Sequence, residues 1–111
     1  MKTFNSLIEL RDGLRQFAAA RGWRKYHSPK NLAMAMIVEA AELVEHFQWL
    51  TEEESRALPA EHLAAVRDEV ADTLIYLVEL ADVLDIDLLA AAGEKMQKNA
   101  VKDPSPSPVL R

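Results

Sequence analysis

Between Met1 and Lys102 the sequence offers little that would stop a helix. It has three glycines in all, and three of its five prolines crowd into the last eight residues. A chain so poor in breakers is expected to be nearly all helix. The first helix is predicted from Asn5 or Ser6 to Arg21, where Leu7, Leu10, Leu14, Phe17 and Ala18 recur at helical spacing and Gly22 supplies a stop. Gly22 to Lys30 mixes aromatic and basic residues without a period and reads as an ordered loop. A second helix is expected from about Asn31 to Leu50. It is apolar almost all round (Leu32, Met34, Met36, Ile37, Val38, Leu43, Val44, Phe47, Trp49), the pattern of a helix buried between others. Thr51 to Leu58 reads as a solvated connection, Pro59 opens a third helix reaching Leu84, and a fourth runs from about Asp87 to Val101. The expected architecture is an all-α, four-helix protomer. It forms a single domain over residues 1–102, followed by a Pro/Ser-rich tail, 103–111, that cannot continue a helix.

At 111 residues, half of them apolar, the chain suffices for one small core. So short a chain buries a modest fraction of its surface, so self-association into a homo-oligomer is the expected source of further burial. A net charge of −5 argues against a nucleic acid polymer as partner, although a free nucleotide carrying its own metal stays compatible. Without cysteine there is no thiolate zinc site, iron–sulfur cluster or thiol nucleophile. Glu9, Arg11, Asp12 and Arg15 interrupt any leader-like apolar run, and no later stretch reaches the length of a membrane span. The expectation is a cytoplasmic protein with no membrane partner.

The main chemical signal lies in the two apolar helices. Glu39 and Glu42 stand at i and i+3 on the second, and Glu69 and Asp72 at the same spacing on the third. Each pair shares a helix face. Trp49 follows Glu42 by seven residues and Tyr76 follows Glu69 by seven, so each stripe pairs two acids with an aromatic. One such pair alone is ordinarily solvated surface. Two pairs on two apolar helices would repel unless a cation lay between them. All-oxygen ligands favour a hard ion, Mg²⁺ with Mn²⁺ as the alternative. A di-iron site of the ferritin type wants Glu-x-x-His, and no glutamate stands three residues before His27, His46 or His62. Aromatics such as Trp49 and Tyr76 are more often core than ligand platforms. Lys95, Lys98 and Lys102 form a row on the fourth helix, with Asn99 between them, that could meet phosphate charge.

The motifs Glu39-Ala-Ala-Glu42 and Glu69-Val-Ala-Asp72 resemble the ExxE and ExxD metal motif of the MazG-like, all-α nucleotide pyrophosphohydrolases. The run from Trp23 through His27-Ser-Pro-Lys-Asn31, then Phe47-Gln-Trp49, Asp72-Thr-Leu-Ile-Tyr76-Leu, and Lys95-Met96 with Asn99, resembles the dCTP pyrophosphatase branch. The resemblance spans roughly residues 5 to 104. It implies that Glu39, Glu42, Glu69 and Asp72 hold Mg²⁺ on a nucleoside triphosphate. Trp23, Trp49 and Tyr76 would line a base and sugar pocket whose wall includes Tyr26 and His27. Lys30, Asn31, Lys95 and Asn99 would be polar contacts to the substrate. It also implies assembly as a dimer or a dimer of dimers, a homotetramer. Two positions depart from the branch: Leu14 stands where it often has histidine, and Lys102-Asp103-Pro104 where Lys-Tyr-Pro is common.

The expected reaction is Mg²⁺-dependent hydrolysis between the α and β phosphates of a nucleoside triphosphate, giving the monophosphate and pyrophosphate. The metal would neutralise charge on phosphoryl oxygens and make a water acidic enough to react at neutral pH. Glu39, Glu42 and Glu45 are the candidates for the carboxylate that handles this water. The resemblance favours dCTP or a modified pyrimidine deoxynucleotide, a nucleotide-pool house-cleaning role. The competing class is a non-catalytic helical interaction module, in which the same acids would be solvated or paired with lysines.

Overall fold

The fold is known from a computed structural model that describes residues 3–103. Helix α1 spans Leu7–Ala20, α2 Pro29–Glu45, α3 Glu52–Ser55, α4 Ala60–Val83 and α5 Leu88–Lys102, and a 3₁₀ turn covers Arg24–Tyr26. Most starts are capped by a side chain. Ser6, Ser28, Thr51 and Asp87 each accept a hydrogen bond from a backbone N–H three residues on, satisfying a donor that the helix leaves free.

The second helix differs from its expected span at both ends. It begins at Pro29 because Ser28 caps it and proline suits the first helical position. It ends at Glu45, after which His46, Phe47 and Leu50 donate to carbonyls three residues back and wind the chain into turns. The connection to α4 is not wholly irregular either. Thr51 and Glu54 form a reciprocal capping box around the single turn of α3, whose three glutamates favour the positive end of a helix. The described residues therefore hold four long helices and one short one.

Packing centres on α2 and α4. Their order is antiparallel. His27 lies beside Glu79, Glu39 beside Glu69 and Asp72, and the ring of His46 is 5.2 Å from that of His62, so residue numbers fall along α4 as they rise along α2. Helix α1 packs on α4 as well, where Arg15 grips Asp82 with two guanidinium nitrogens, Nε at 2.9 Å. That guanidinium holds the Asp82 carboxyl below the usual carboxylate range.

The core is thin. Among the described residues Ala18, Leu32, Val66, Val78 and Ala81 are buried, and of their large side chains Leu32 alone is almost fully enclosed, at 1% exposure. The expectation that α2 is buried all round does not hold within one chain. Met34, Ile37, Val38 and Val44 face solvent because α4 covers only one side of the helix. Helix α5 has no buried residue and makes only marginal contact with the rest, leaving Met96 71% and Val101 83% exposed. The radius of gyration is 16.6 Å, whereas a compact chain of this length would have about 13 Å. Of the tail, residues 104–111 lie outside the described residues, and Asp103 closes α5.

Two left-handed residues end helices. After α1, Gly22 has φ +65° and Trp23 N–H returns to the Ala18 carbonyl. After α4, Asp85 has φ +55° and Ile86 N–H returns to the Ala81 carbonyl. The Gly22 site has open space for a Cβ, so only the backbone conformation opposes a side chain there. Gly22→Ala is expected to lower stability by about 1 kcal/mol, whereas Asp85→Gly should lower it by none. Urea unfolding at a fixed protein concentration measures both.

Candidate metal and nucleotide site

The α2–α4 interface brings one group of potential metal ligands together. One carboxylate oxygen each from Glu39, Glu69 and Asp72 lies within 4.8 Å of the others. The antiparallel crossing achieves this, because the acid face of α2 meets that of α4 near the middle of both helices. Glu39 and Glu69 are half-buried and Asp72 is exposed, so the group opens to solvent on one side. Glu42, one turn beyond Glu39, hydrogen-bonds with it and adds its charge to the same patch.

The electrostatics show the strain of collecting these acids. Burial, then hydrogen bonds that the protonated Glu39 carboxyl donates to Glu69 and Glu42, then the charges of Glu42 and Asp72 push that carboxyl up to about 7. Glu69 Oε2 is shielded from solvent yet has no hydrogen-bond partner among the described residues. A buried acceptor left without a donor is costly. A cation is the natural remedy. The donor set is all oxygen and lies between two rigid helices, so the residues present fit a hard divalent ion. Tyr76, one turn along from Asp72, is half-buried, and its hydroxyl is pushed up by burial and by Glu39, Glu79 and Asp72.

The other residues singled out in the sequence are distributed unevenly. Trp23 precedes the 3₁₀ turn and meets Phe17 edge-on with centroids 5.6 Å apart, while Arg21 stacks over Phe17 at 3.4 Å. Tyr26 is exposed, and its carbonyl accepts a hydrogen bond from Asn31 Nδ2 at 3.0 Å, so Asn31 fastens the loop. Lys30 is exposed on the first turn of α2. Trp49 is 86% exposed and falls past the end of α2, so it leaves the acid stripe that uninterrupted helical spacing would have given it. Glu45 is exposed and is not in the ligand group. Lys95 and Asn99 lie on α5, which makes only marginal contact with α2 and α4 in one chain.

Two residues the sequence reading did not single out belong to the same face of α4. Glu79 follows Asp72 by seven residues and Asp82 follows Glu79 by three, so Glu69, Asp72, Tyr76, Glu79 and Asp82 form one stripe. The spacing was the available signal. Glu79 is inward, with Oε2 buried and 3.9 Å from His27 Nδ1. Burial pushes its carboxyl up while His27 opposes the shift.

The model of the MazG-like family matches residues 34–107. The chain is 42% identical over 91 residues to the dCTP pyrophosphatase 1 of Mus musculus, covering 80% of this chain and 54% of that protein. It is 40% identical over 92 residues to the dCTP pyrophosphatase 1 of Homo sapiens, covering 81% and 54%. It thus spans about half the length of the curated relatives it matches. A crystal structure of a pyrophosphatase from Archaeoglobus fulgidus superposes with a TM-score of 0.85 at 42% identity, covering 95% of this chain and 98% of that one.

Glu39 makes the metal-free protein sensitive to pH in a defined direction. A carboxyl that binds its proton more tightly folded than unfolded stabilises the fold below its unfolded value, 4.5, and loses that contribution as pH rises through about 7. In chelator, Glu39→Gln is therefore expected to melt above wild type at pH 8, with the gap closing toward pH 4.5. Mg²⁺ should raise the wild-type melting temperature more than that of the variant. Thermal melts across this range check both statements.

Proposed function

This chain belongs to the MazG-like family, close to its dCTP pyrophosphatase branch, and from that premise we propose that it is a nucleoside triphosphate pyrophosphohydrolase. Water would add across the anhydride between the α and β phosphates to give the monophosphate and pyrophosphate. The observation that carries this reading is the convergence of Glu39, Glu69 and Asp72 from two helices around a carboxylate oxygen with no protein partner. Solvated acids of an interaction module would have no reason to converge half-buried.

Glu39, Glu69 and Asp72 would hold the metal, Mg²⁺ in the first instance, with Glu42 standing beside them. When bound, the ion neutralises charge on the phosphoryl oxygens and raises the acidity of water. The chain's own contribution is to orient that water and take its proton on a carboxylate. Glu42 suits the task because it adjoins the group without being one of the three clustered ligands. Tyr76 and the wall from Trp23 to His27 would receive sugar and base. dCTP or a related pyrimidine deoxynucleotide is the proposed substrate, from the names of the relatives, in a house-cleaning role within the cytoplasm.

We further propose that the working form is a homo-oligomer of this single domain, a dimer or a dimer of dimers. The exposed apolar side chains of α2 and α5 argue for it. So does the stranded position of Trp49, Lys95 and Asn99, which would need a partner chain to be of use at a site.

Pyrophosphate release from dCTP with Mg²⁺, abolished by chelator, tests the reaction. Glu42→Ala is expected to lose about 100-fold or more in turnover while keeping its helical circular dichroism, and near-normal activity would overturn the assignment. Titration with Mg²⁺ and a non-hydrolysable nucleotide should give heats that depend on each other, which an interaction module would not. Light scattering at micromolar concentration is expected to give at least twice the mass of one chain. A well-folded monomer would refute the assembly.

A further inference from the structure

Beyond Tyr76, on the far side from the clustered acids, α1, the loop after it and α4 enclose a cavity of about 40 Å³. It has room for one small polar group and not for a ring. Leu14, Ala18, Val78 and Val83 supply apolar wall. The polar lining is Arg11, Arg15, Arg24, His27, Glu79 and Asp82. Half of those groups are already engaged: Arg11 donates to Asp12, and Arg15 to Asp82.

Glu79 is not among them. Its side chain is 15% exposed, its Oε2 is sealed from solvent, and no donor among the described residues reaches that oxygen. His27 Nδ1 is close enough for attraction, at 3.9 Å, and too far for a hydrogen bond. An acceptor held without a donor beside a small cavity is what a site looks like when a ligand supplies the donor. Position gives the ligand's nature. Glu79 lies seven residues beyond Asp72 on one helix face, about 10 Å along the axis. That is the length scale from the phosphates of a nucleotide to the far edge of its base.

We propose that Glu79 is a specificity-determining residue that accepts a hydrogen bond from the exocyclic amino group of a nucleobase. The proposal rests on the hydrolase reading above and adds the residue that would select the base. A carboxyl oxygen that carries no proton is an acceptor, so it pairs with an amino group and confronts a carbonyl oxygen with like polarity. Leu14 has no polar group to compete.

The experiment compares kcat/KM for dCTP and dUTP at fixed Mg²⁺, in wild type and Glu79→Gln. Wild type is expected to prefer dCTP by about tenfold or more. The variant, whose amide both donates and accepts, should lose most of that preference. A glutamate that merely supports the fold would slow both substrates alike and leave the ratio in place, which would overturn the proposal. So would a wild-type enzyme that handles dUTP as well as dCTP. A third substrate needs no variant: the deoxynucleoside triphosphate of pyrimidin-2-one, which lacks the 4-amino group, should fall about tenfold below dCTP, and equal turnover would refute the assignment. If wild type hydrolyses none of a panel of canonical triphosphates, the hydrolase reading itself fails and this one falls with it. Hydrolysis without base preference removes Glu79 alone.

Discussion

Two helices that pack through apolar faces also carry acids on those faces, and the repulsion among the acids governs much else in this protein. Glu39 and Glu69 are half-buried at the α2–α4 crossing with Asp72 alongside, and among the described residues none of the three forms an ion pair with a lysine or arginine. The molecule answers in the only currency available to the metal-free chain, by holding a proton on Glu39 at pH values where a free glutamate would have lost it. The acid cluster is preorganised by packing: helices that meet for hydrophobic reasons fix its carboxylates, and the proposed cation would enter a field already in place.

The same economy explains the thin core. The interface that could have been wholly apolar gives part of its area to carboxylates, and the remaining burial is limited to a handful of residues around Leu32. Side chains such as Ile37, Val38 and Met96 are left facing solvent. Apolar surface of that extent on a small chain is what the proposed oligomer would cover. Helix α5, amphipathic in sequence and nearly unattached within one chain, makes the same point from the other end of the fold.

Along α4 the stripe from Glu69 to Asp82 divides the labour by distance. The first two acids face Glu39, Tyr76 sits in the field of both groups, Glu79 faces the small cavity beside His27, and Asp82 is locked to Arg15. One helical period thus places charge that can hold a metal, charge kept free, and charge used to fasten α1. The partners that α2, the loop and α1 bring decide which of these roles each acid takes.

The local features were legible in the sequence because they depend on neighbours in the chain. Breaker scarcity gave the helices, Ser6 and Gly22 marked the limits of α1, and the i, i+3 acids declared a shared face whatever the tertiary arrangement. The end of α2 was not legible: nothing between His46 and Leu50 forbids a helix, and the turns there follow from how the chain reaches α4. Nor was burial, since an apolar helix is buried only on the sides that other elements cover. Glu79 shows the division most clearly. Its spacing from Asp72 was written in the sequence, yet its chemistry depends on Leu14 and His27, each more than fifty residues away. Sequence determines which groups a helix presents on a face. Only tertiary packing determines what that face meets, and whether a carboxylate oxygen there finds water, a donor or nothing.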